Sequence, residues 1–225
     1  MHYVLIVKTA TINSNATYET IIFPEGTTSE RDINGFFLTH PNKNYLSLDG
    51  QGAYLDIAHN SVFNFADDTD FTIDFWTKVN NITDNFVFIE KVNAYYGLGF
   101  AVYMNDAGSN QFNFIPHIED ASNTASGNSS TARNCHTWYY YCATFDRSGN
   151  VTNYVGDSST APSADGTTDI SGVNATINNT EKIQLGRWTS SYSDITIDDV
   201  RIYNTLLSPS EIKKNWRHGS GKHKD

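Results

Sequence analysis

The sequence predicts an all-β domain, an antiparallel two-sheet jelly roll with one short helix near the C-terminus. Short segments of alternating apolar and polar residues recur along the chain, separated by Gly, Asn and Asp. This spacing is typical of sandwiches and jelly rolls. The composition agrees, because the 13 Tyr and 13 Phe favour pleated, half-buried surfaces. The length of 225 residues fits one domain of this kind.

The chain divides into three parts: an N-terminal β-arm at residues 1–43, the jelly roll at residues 44–217 and a basic, polar tail at residues 218–225. Alternation predicts two strands in the arm, over residues 2–10 and 17–23, joined by a polar turn at residues 12–15. The arm either completes the sandwich or packs on a neighbouring subunit, which would make the protein a homo-oligomer. The pattern of the arm leaves both alternatives open.

The jelly roll shows a regular succession of strands. Alternation predicts them at residues 45–48, 53–57, 71–77, 86–89, 97–104, 111–115, 138–145, 153–155, 182–185 and 195–203. Residues 121–133 are small and polar and predict a long loop. In the second strand, Tyr54 and Asp56 lie on one face, while Leu55 and Ile57 lie on the other.

One helix follows the last strand. Ser208 is a predicted N-cap, Pro209 occupies the first helical position, and Glu211 completes a capping box. The helix is predicted to run to Trp216 or Arg217 and to stop before Gly219.

Charge and cysteine content exclude several classes of protein. The net charge of −10 and the pI near 5.0 disfavour nucleic acid and anionic membranes as partners, and the basic C-terminal residues are interpreted as a solvated tail. Cys135 and Cys142 are predicted to be free thiols, because no turn is predicted between them.

No apolar run approaches the ~20 residues of a membrane helix. Residues 3–7 lack the flanks of a signal peptide, so the sequence does not indicate Sec export and leaves a virion or a released, extracellular protein open.

Five segments carry a family resemblance, in order: residues 46–57, 71–76, 137–146 with 153–157, 197–203 and 206–212. Together they resemble the laminin G-like domains of the concanavalin A-like lectin/glucanase superfamily over about residues 44–216. The resemblance implies the jelly-roll fold. It does not select one function, because this fold hosts lectins, glycosidases, adhesion modules and virion proteins. The order Gly156-Asp157 departs from the Asp-Gly that is usual in the family, and the arm is not part of the resemblance.

Catalysis is not predicted. Relatives that cleave β-glucans carry closely spaced carboxyls on one strand, and retaining cleavage needs two carboxyls about 5 Å apart. No two glutamates of this chain have that spacing, and no Gly-x-Ser-x-Gly elbow is present. The histidines also lack the spacings typical of zinc ligands, so no transition-metal site is predicted. A glycoside hydrolase is therefore the third alternative.

The resemblance implies one structural Ca²⁺ on the convex side of the domain. Carried over to this chain, Asp198 would provide a carboxylate and Gly50 a carbonyl oxygen, with Asp49 or Asp199 assisting. The alternative is that Asp198 and Asp199 face solvent or pair with Arg201.

Aromatic residues are the candidates for ligand binding, because Tyr and Trp stack on sugar faces. Arg187, Trp188 and Tyr192 belong to the segment predicted to be the most exposed loop, and Tyr95 with Tyr96 forms a second candidate platform. Burial is the alternative for each aromatic residue. Trp76 and Trp138 match core positions of the family.

These observations predict a non-catalytic, lectin-like module that recognises carbohydrate or a partner surface. The alternative is a structural or decorating subunit of a larger assembly, such as a virion capsid, fibre or tail. The β-arm at residues 1–43 motivates that alternative.

Overall fold

The computed structural model describes residues 10–13, 20–22, 34–35, 37–39, 45–82, 86–94 and 97–223. The strands are β1 (Ala10–Asn13), β2 (Thr20–Ile22), β3 (Asn34–Gly35), β4 (Phe37–Thr39), β5 (Leu46–Asp49), β6 (Tyr54–Ile57), β7 (Phe71–Asn81), β8 (Phe86–Val92), β9 (Gly99–Gly108), β10 (Gln111–Glu119), β11 (Thr124–Ser126), β12 (Arg133–Asn134), β13 (Trp138–Phe145), β14 (Asn150–Asp157), β15 (Ser163–Asp169), β16 (Ile183–Leu185), β17 (Arg187–Trp188), β18 (Ser191–Tyr192) and β19 (Asp194–Tyr203). A 3₁₀ turn spans Ser61–Phe63, and helix α1 spans Pro209–Ser220.

Two large antiparallel sheets form the domain, which confirms the predicted two-sheet jelly roll. The eight-stranded sheet has the order β1-β6-β16-β8-β9-β10-β11, with β12 also paired to β10. The seven-stranded sheet has the order β15-β14-β13-β7-β19-β3, with β5 also paired to β19. The hairpin β17–β18 and the pair β2–β4 are separate small sheets.

The main core lies between the two large sheets, where alternate residues of each strand point inward. On β6, Leu55 and Ile57 are buried, while Tyr54 and Asp56 are half-buried. Aromatic rings fill the centre of this core. Phe71 stacks on Phe65 at 4.5 Å between ring centroids and on Phe145 at 4.2 Å.

A second apolar cluster covers the outer face of the seven-stranded sheet beneath α1. Trp76 and Trp138 are buried here together with Tyr140 and Ile212. The two tryptophans therefore have the predicted burial, but they pack under the helix and not between the sheets. The capping box of Ser208 and Glu211 is confirmed.

Helix α1 extends further than the sequence predicts. It continues through Gly219 to Ser220, and Gly219 lies where the helix crosses Trp76. A Cβ atom on Gly219 would lie 2.1 Å from Trp76 Nε1. Gly219 thus permits close contact between helix and sheet and does not terminate the helix.

A buried polar network links the same helix to the sheet. Arg201 donates to Asp74 at 3.1 Å. The hydroxyl of Tyr140 and the amide of Asn215 donate to the other oxygen of this carboxylate at 2.8 Å and 2.7 Å. Arg201 and Asp74 are 2% and 0% exposed, so this ion pair is fully enclosed beneath α1.

Parts of the arm belong to the two large sheets. β1 pairs with β6 at the edge of the eight-stranded sheet, and β3 pairs with β19 of the seven-stranded sheet. Ile12 and Asn13 are therefore strand residues, and the prediction of a turn at these two positions is wrong. These pairings favour the alternative in which the arm completes the sandwich.

Further differences concern short strands. β15 was not predicted, because its residues are mostly polar and exposed. Residues 121–133 contain β11 and the first residue of β12 and so are not entirely loop.

Cys135 and Cys142 are free, which confirms the prediction of two free thiols. Among the described residues, no helix has the length and apolarity needed to cross a membrane.

Candidate functional site

The candidate site lies on the outer face of the eight-stranded sheet. Tyr54 and Asp56 point outward from β6, because Leu55 and Ile57 point into the core. Gln184 lies directly opposite Asp56 on the neighbouring strand β16. The β17–β18 hairpin, which follows β16, adds Arg187 and Tyr192. We call the set Tyr54, Asp56, Gln184, Arg187 and Tyr192 the outer-face patch.

Two tyrosines and an arginine form the centre of the patch. The rings of Tyr54 and Tyr192 lie 5.8 Å apart with an interplanar angle of 35°. The guanidinium of Arg187 lies 4.4 Å from the centroid of the Tyr54 ring, a cation–π contact. All three side chains are half-buried. This arrangement presents aromatic surface next to a positive charge.

The polar edge of the patch is held in place by Asp56. Its carboxylate pairs with Lys182, whose side chain is 40% exposed. Gln184 Nε2 donates to the other carboxylate oxygen at 2.8 Å. Asp56 thus holds both neighbours on the outer face of β6 and β16, where their remaining donors are available. Such donors can hydrogen-bond the hydroxyl or carboxylate oxygens of a ligand.

Trp188 does not have the predicted exposure. The hairpin folds back onto the sheet, so the Trp188 indole is 8% exposed and packs on Tyr103 with ring centroids 5.7 Å apart. Val87 and Ala101 complete this small apolar cluster. The prediction of Trp188 as an exposed platform is wrong, since its ring anchors the hairpin that carries Arg187 and Tyr192.

The structure thus brings together two of the predicted ligand-binding residues, Arg187 and Tyr192. Tyr95 and Tyr96 lie outside the described residues. Sequence reasoning did not select Tyr54 and Asp56 as site residues. Their shared face on β6 was visible in the alternation, but their proximity to Tyr192 depends on the long-range pairing of β6 with β16.

Glu90 lies in register with the patch but is buried. It faces Gln184 on β16 and Ala101 on β9. Burial raises the pKa of Glu90 to about 8, and the nearby charge of Arg187 lowers it only in part. Neither facing residue is a carboxyl, so this register does not supply the carboxyl pair about 5 Å apart that retaining glycoside cleavage requires.

The raised pKa of Glu90 makes the stability of the domain depend on pH. Its pKa is about 8 in the folded chain and about 4.5 as a model value, so the folded state binds the extra proton between these pH values. The contribution of Glu90 to the free energy of unfolding should therefore fall as the pH rises from about 4.5 to about 8 and then level off. Glu90→Gln should remove this contribution and be more stable than the parent at pH 9, by roughly 2–5 kcal/mol, the upper value being the full pKa difference at about 1.4 kcal/mol per unit.

Urea unfolding of both proteins at pH 5, 7 and 9 measures this difference. Asp68→Asn, at an exposed position, is the control and should keep the pH dependence of the parent. An unchanged pH dependence in Glu90→Gln would show that Glu90 is not held neutral by the fold.

The residues predicted to bind calcium do not all lie together. Asp49 faces Asp194 across β5 and β19, and its carboxylate accepts from the backbone N–H of Gln51 and Ala53 at 2.9 Å and 3.1 Å. Asp198 is four residues further along β19, roughly 13 Å away at the rise of a strand. Gly50 also lies beside Asp194. Gly50 and Asp49 therefore cannot share an ion with Asp198 in this structure.

Asp198 and Asp199 are both 3% exposed, so the alternative in which they face solvent is wrong. Asp199 Oδ2 lies 3.4 Å from an Arg201 nitrogen, in agreement with the predicted pairing. Calcium binding stays a prediction, and it would need oxygen donors other than Gly50 and Asp49.

Comparison with known proteins identifies a family and several solved structures that share the fold of this chain. A laminin G-type family model, described as the concanavalin A-like lectin/glucanases superfamily, matches residues 49–213. No curated protein sequence matches the chain. The binding domain of Paraclostridial Mosquitocidal Protein 1 has a TM-score of 0.65 at 16% identity, covering 93% of this chain and 47% of that chain.

Two neurotoxin structures share the fold. The botulinum neurotoxin serotype D ligand-binding domain in complex with N-acetylneuraminic acid has a TM-score of 0.64 at 14% identity, covering 93% of this chain and 46% of that chain. The binding domain of botulinum neurotoxin DC in complex with rat synaptotagmin II has a TM-score of 0.61 at 15% identity, with the same coverage of 93% and 46%. The chain spans less than half the length of these structures.

Proposed function

We propose that this chain, which belongs to the concanavalin A-like lectin/glucanase superfamily, is a non-catalytic module that binds carbohydrate through the outer-face patch. The observation that carries this proposal is the half-buried group of Tyr54, Tyr192 and Arg187, with rings 5.8 Å apart and the guanidinium 4.4 Å from the Tyr54 ring. An aromatic surface beside fixed polar donors is the combination that sugar recognition requires, since the ring covers the apolar face of the sugar and the donors bind its oxygens.

The charges of the patch favour an acidic sugar. Arg187 can bind a carboxylate with two parallel hydrogen bonds, and Lys182 lies at the polar edge with its side chain 40% exposed. In the serotype D structure, a domain of the same fold is in complex with N-acetylneuraminic acid, which is an acidic sugar. This likeness supports the same ligand class here. A protein receptor is the second candidate partner, by analogy with the complex of the DC binding domain with synaptotagmin.

The environment of Glu90 supports a binding function over hydrolysis. Glu90 is 4% exposed, and its pKa is raised to about 8 by burial despite the nearby charge of Arg187. A general acid must reach the glycosidic oxygen of its substrate, and this carboxyl is enclosed.

Substitutions in the patch should weaken glycan binding without unfolding the domain. A glycan array identifies the best ligand among sialylated and neutral glycans, and calorimetry then gives its affinity. Tyr192→Ala is expected to weaken binding about fivefold, because one stacking contact is lost. Arg187→Ala should weaken binding of a sialylated glycan about tenfold or more, because a charge-assisted hydrogen bond is lost.

Lys78→Ala is the matched control, because Lys78 also lies over an aromatic ring, at 5.5 Å from Trp138, but on the seven-stranded sheet. It should bind with the affinity of the parent. Equal affinities for all three variants would place the binding site elsewhere, and release of reducing sugar from the ligand would contradict a non-catalytic module.

A further inference from the structure

A β-bulge in β19 places two consecutive aspartates on the same side of the sheet. Asp198 pairs with Trp76 on β7, and Arg201 pairs with Asp74, so three steps along β19 match two along β7. Asp199 is the extra residue and has a φ of 51°, a left-handed conformation that Asp tolerates better than most residues. Without the bulge, successive side chains would point to opposite faces.

The C-terminal segment brings a histidine to these carboxylates. His223 follows α1, and its ring packs on Trp76 and Trp138 with centroids 4.8 Å and 4.3 Å apart, which fixes its orientation. One ligand atom each from Asp198, Asp199 and His223 lies within 4.8 Å of the other two. His223 is 2% exposed, and both aspartates are 3% exposed.

The contacts within this group do not satisfy its polar atoms. Asp198 Oδ2 and His223 Nε2 are 3.3 Å apart, within ion-pair range. Neither of these buried atoms has a hydrogen bond of acceptable geometry. By contrast, ligands about 2.0–2.1 Å from a tetrahedral metal lie about 3.3 Å from each other. The observed separation therefore matches one edge of a tetrahedral metal site.

The local charge also favours a cation. Arg201 contacts both Asp74, at 3.1 Å, and Asp199, at 3.4 Å, so two buried carboxylates share one guanidinium. The carboxylate of Asp198 contacts the imidazole of His223 and accepts from the backbone N–H of Asp199, and neither partner is a fixed positive charge. Buried charges are costly unless they are paired or bind metal, and a divalent cation at this position would neutralise the excess.

We propose that Asp198, Asp199 and His223 form a binding site for a divalent transition metal of the Zn²⁺ class. An imidazole nitrogen with two carboxylates suits zinc and its neighbours, whereas calcium takes oxygen ligands. The bound metal would join β19 to the segment after α1 and hold the helix on the sheet. The fourth position of a tetrahedral ion would remain for water.

Metal titration of the full chain tests the site. With free Zn²⁺ at about 100 times its Kd, the Tm of the chain should rise by roughly 5–10 °C, and EDTA should reverse the rise. Calorimetry should give one Zn²⁺ per chain. Co²⁺ in place of Zn²⁺ should show the visible absorption of tetrahedral coordination.

Variants distinguish this site from adventitious metal binding. Asp198→Asn, which preserves the shape of the side chain, and His223→Ala should each abolish the rise in Tm and the Co²⁺ absorption. His218→Ala, on the exposed face of α1, should keep both. A parent chain that Zn²⁺ does not stabilise would overturn the proposal. So would a Zn²⁺ effect that survives in Asp198→Asn, or stabilisation by Ca²⁺ and not by Zn²⁺.

Discussion

Arg201→Met is expected to lower the free energy of unfolding by about 3–5 kcal/mol, the usual cost of breaking a buried ion pair from one side. Arg201 and Asp74 are 2% and 0% exposed, so the substitution leaves the Asp74 carboxylate enclosed without its cation. Asp199 also loses its contact with the guanidinium. Methionine retains an unbranched apolar side chain, so loss of charge and not of packing should dominate the effect.

Chemical unfolding of the variant at neutral pH measures this loss. Arg133→Met is the matched control, because Arg133 pairs with Asp165 at 2.6 Å but is 21% exposed. Its expected cost is about 1 kcal/mol or less. If the two variants lose equal free energy of unfolding, breaking the buried ion pair beneath α1 costs no more than breaking the more exposed pair of Arg133 and Asp165, and the account of burial is wrong.

Phe71→Ala is expected to cost a similar amount, about 3–5 kcal/mol, because it leaves a cavity at the centre of the main core. The Phe71 ring is stacked between Phe65 and Phe145, with interplanar angles of 8° and 10°. Both neighbours would lose contacts that no other side chain can replace without repacking.

Thermal and chemical unfolding of Phe71→Ala, with Leu206→Ala as control, tests this prediction. Leu206 is 36% exposed, and its removal should change the free energy of unfolding by less than about 0.5 kcal/mol. A loss below about 1 kcal/mol for Phe71→Ala would mean that the aromatic stack is not part of a closely packed core.

The fold was largely predictable because its signals are local. Alternation along β6 and β7 identifies strands without knowledge of their partners, and the capping box of Ser208 and Glu211 identifies the start of α1. The end of the helix was missed for a tertiary reason. Gly219 normally signals a stop, but here it makes room for the indole of Trp76.

The candidate site was predictable only in part. Tyr192 and Arg187 were selected from their segment, whereas Tyr54 joins them through strand pairing that no local pattern reveals. The exposure of Trp188 was mispredicted for a related reason, since the hairpin folds onto Tyr103.

The proposed metal site illustrates the same limit. Asp198 was selected through the family resemblance, but its partner His223 comes from beyond α1 and reaches it only when the helix docks. Spacing rules for zinc ligands cannot detect such a pair. The left-handed conformation of Asp199, which turns its carboxylate outward, also has no signature in the sequence.

Mapping a bound glycan by amide chemical shifts tests the central claim most directly. The ¹⁵N-labelled chain is titrated with the best ligand from the array, with N-acetylneuraminic acid as the starting probe. The largest shifts are expected in β6, β16 and the β17–β18 hairpin, around Tyr54, Gln184 and Tyr192. Shifts confined to the seven-stranded sheet or to α1, or no shifts with any glycan, would contradict carbohydrate binding at the outer-face patch.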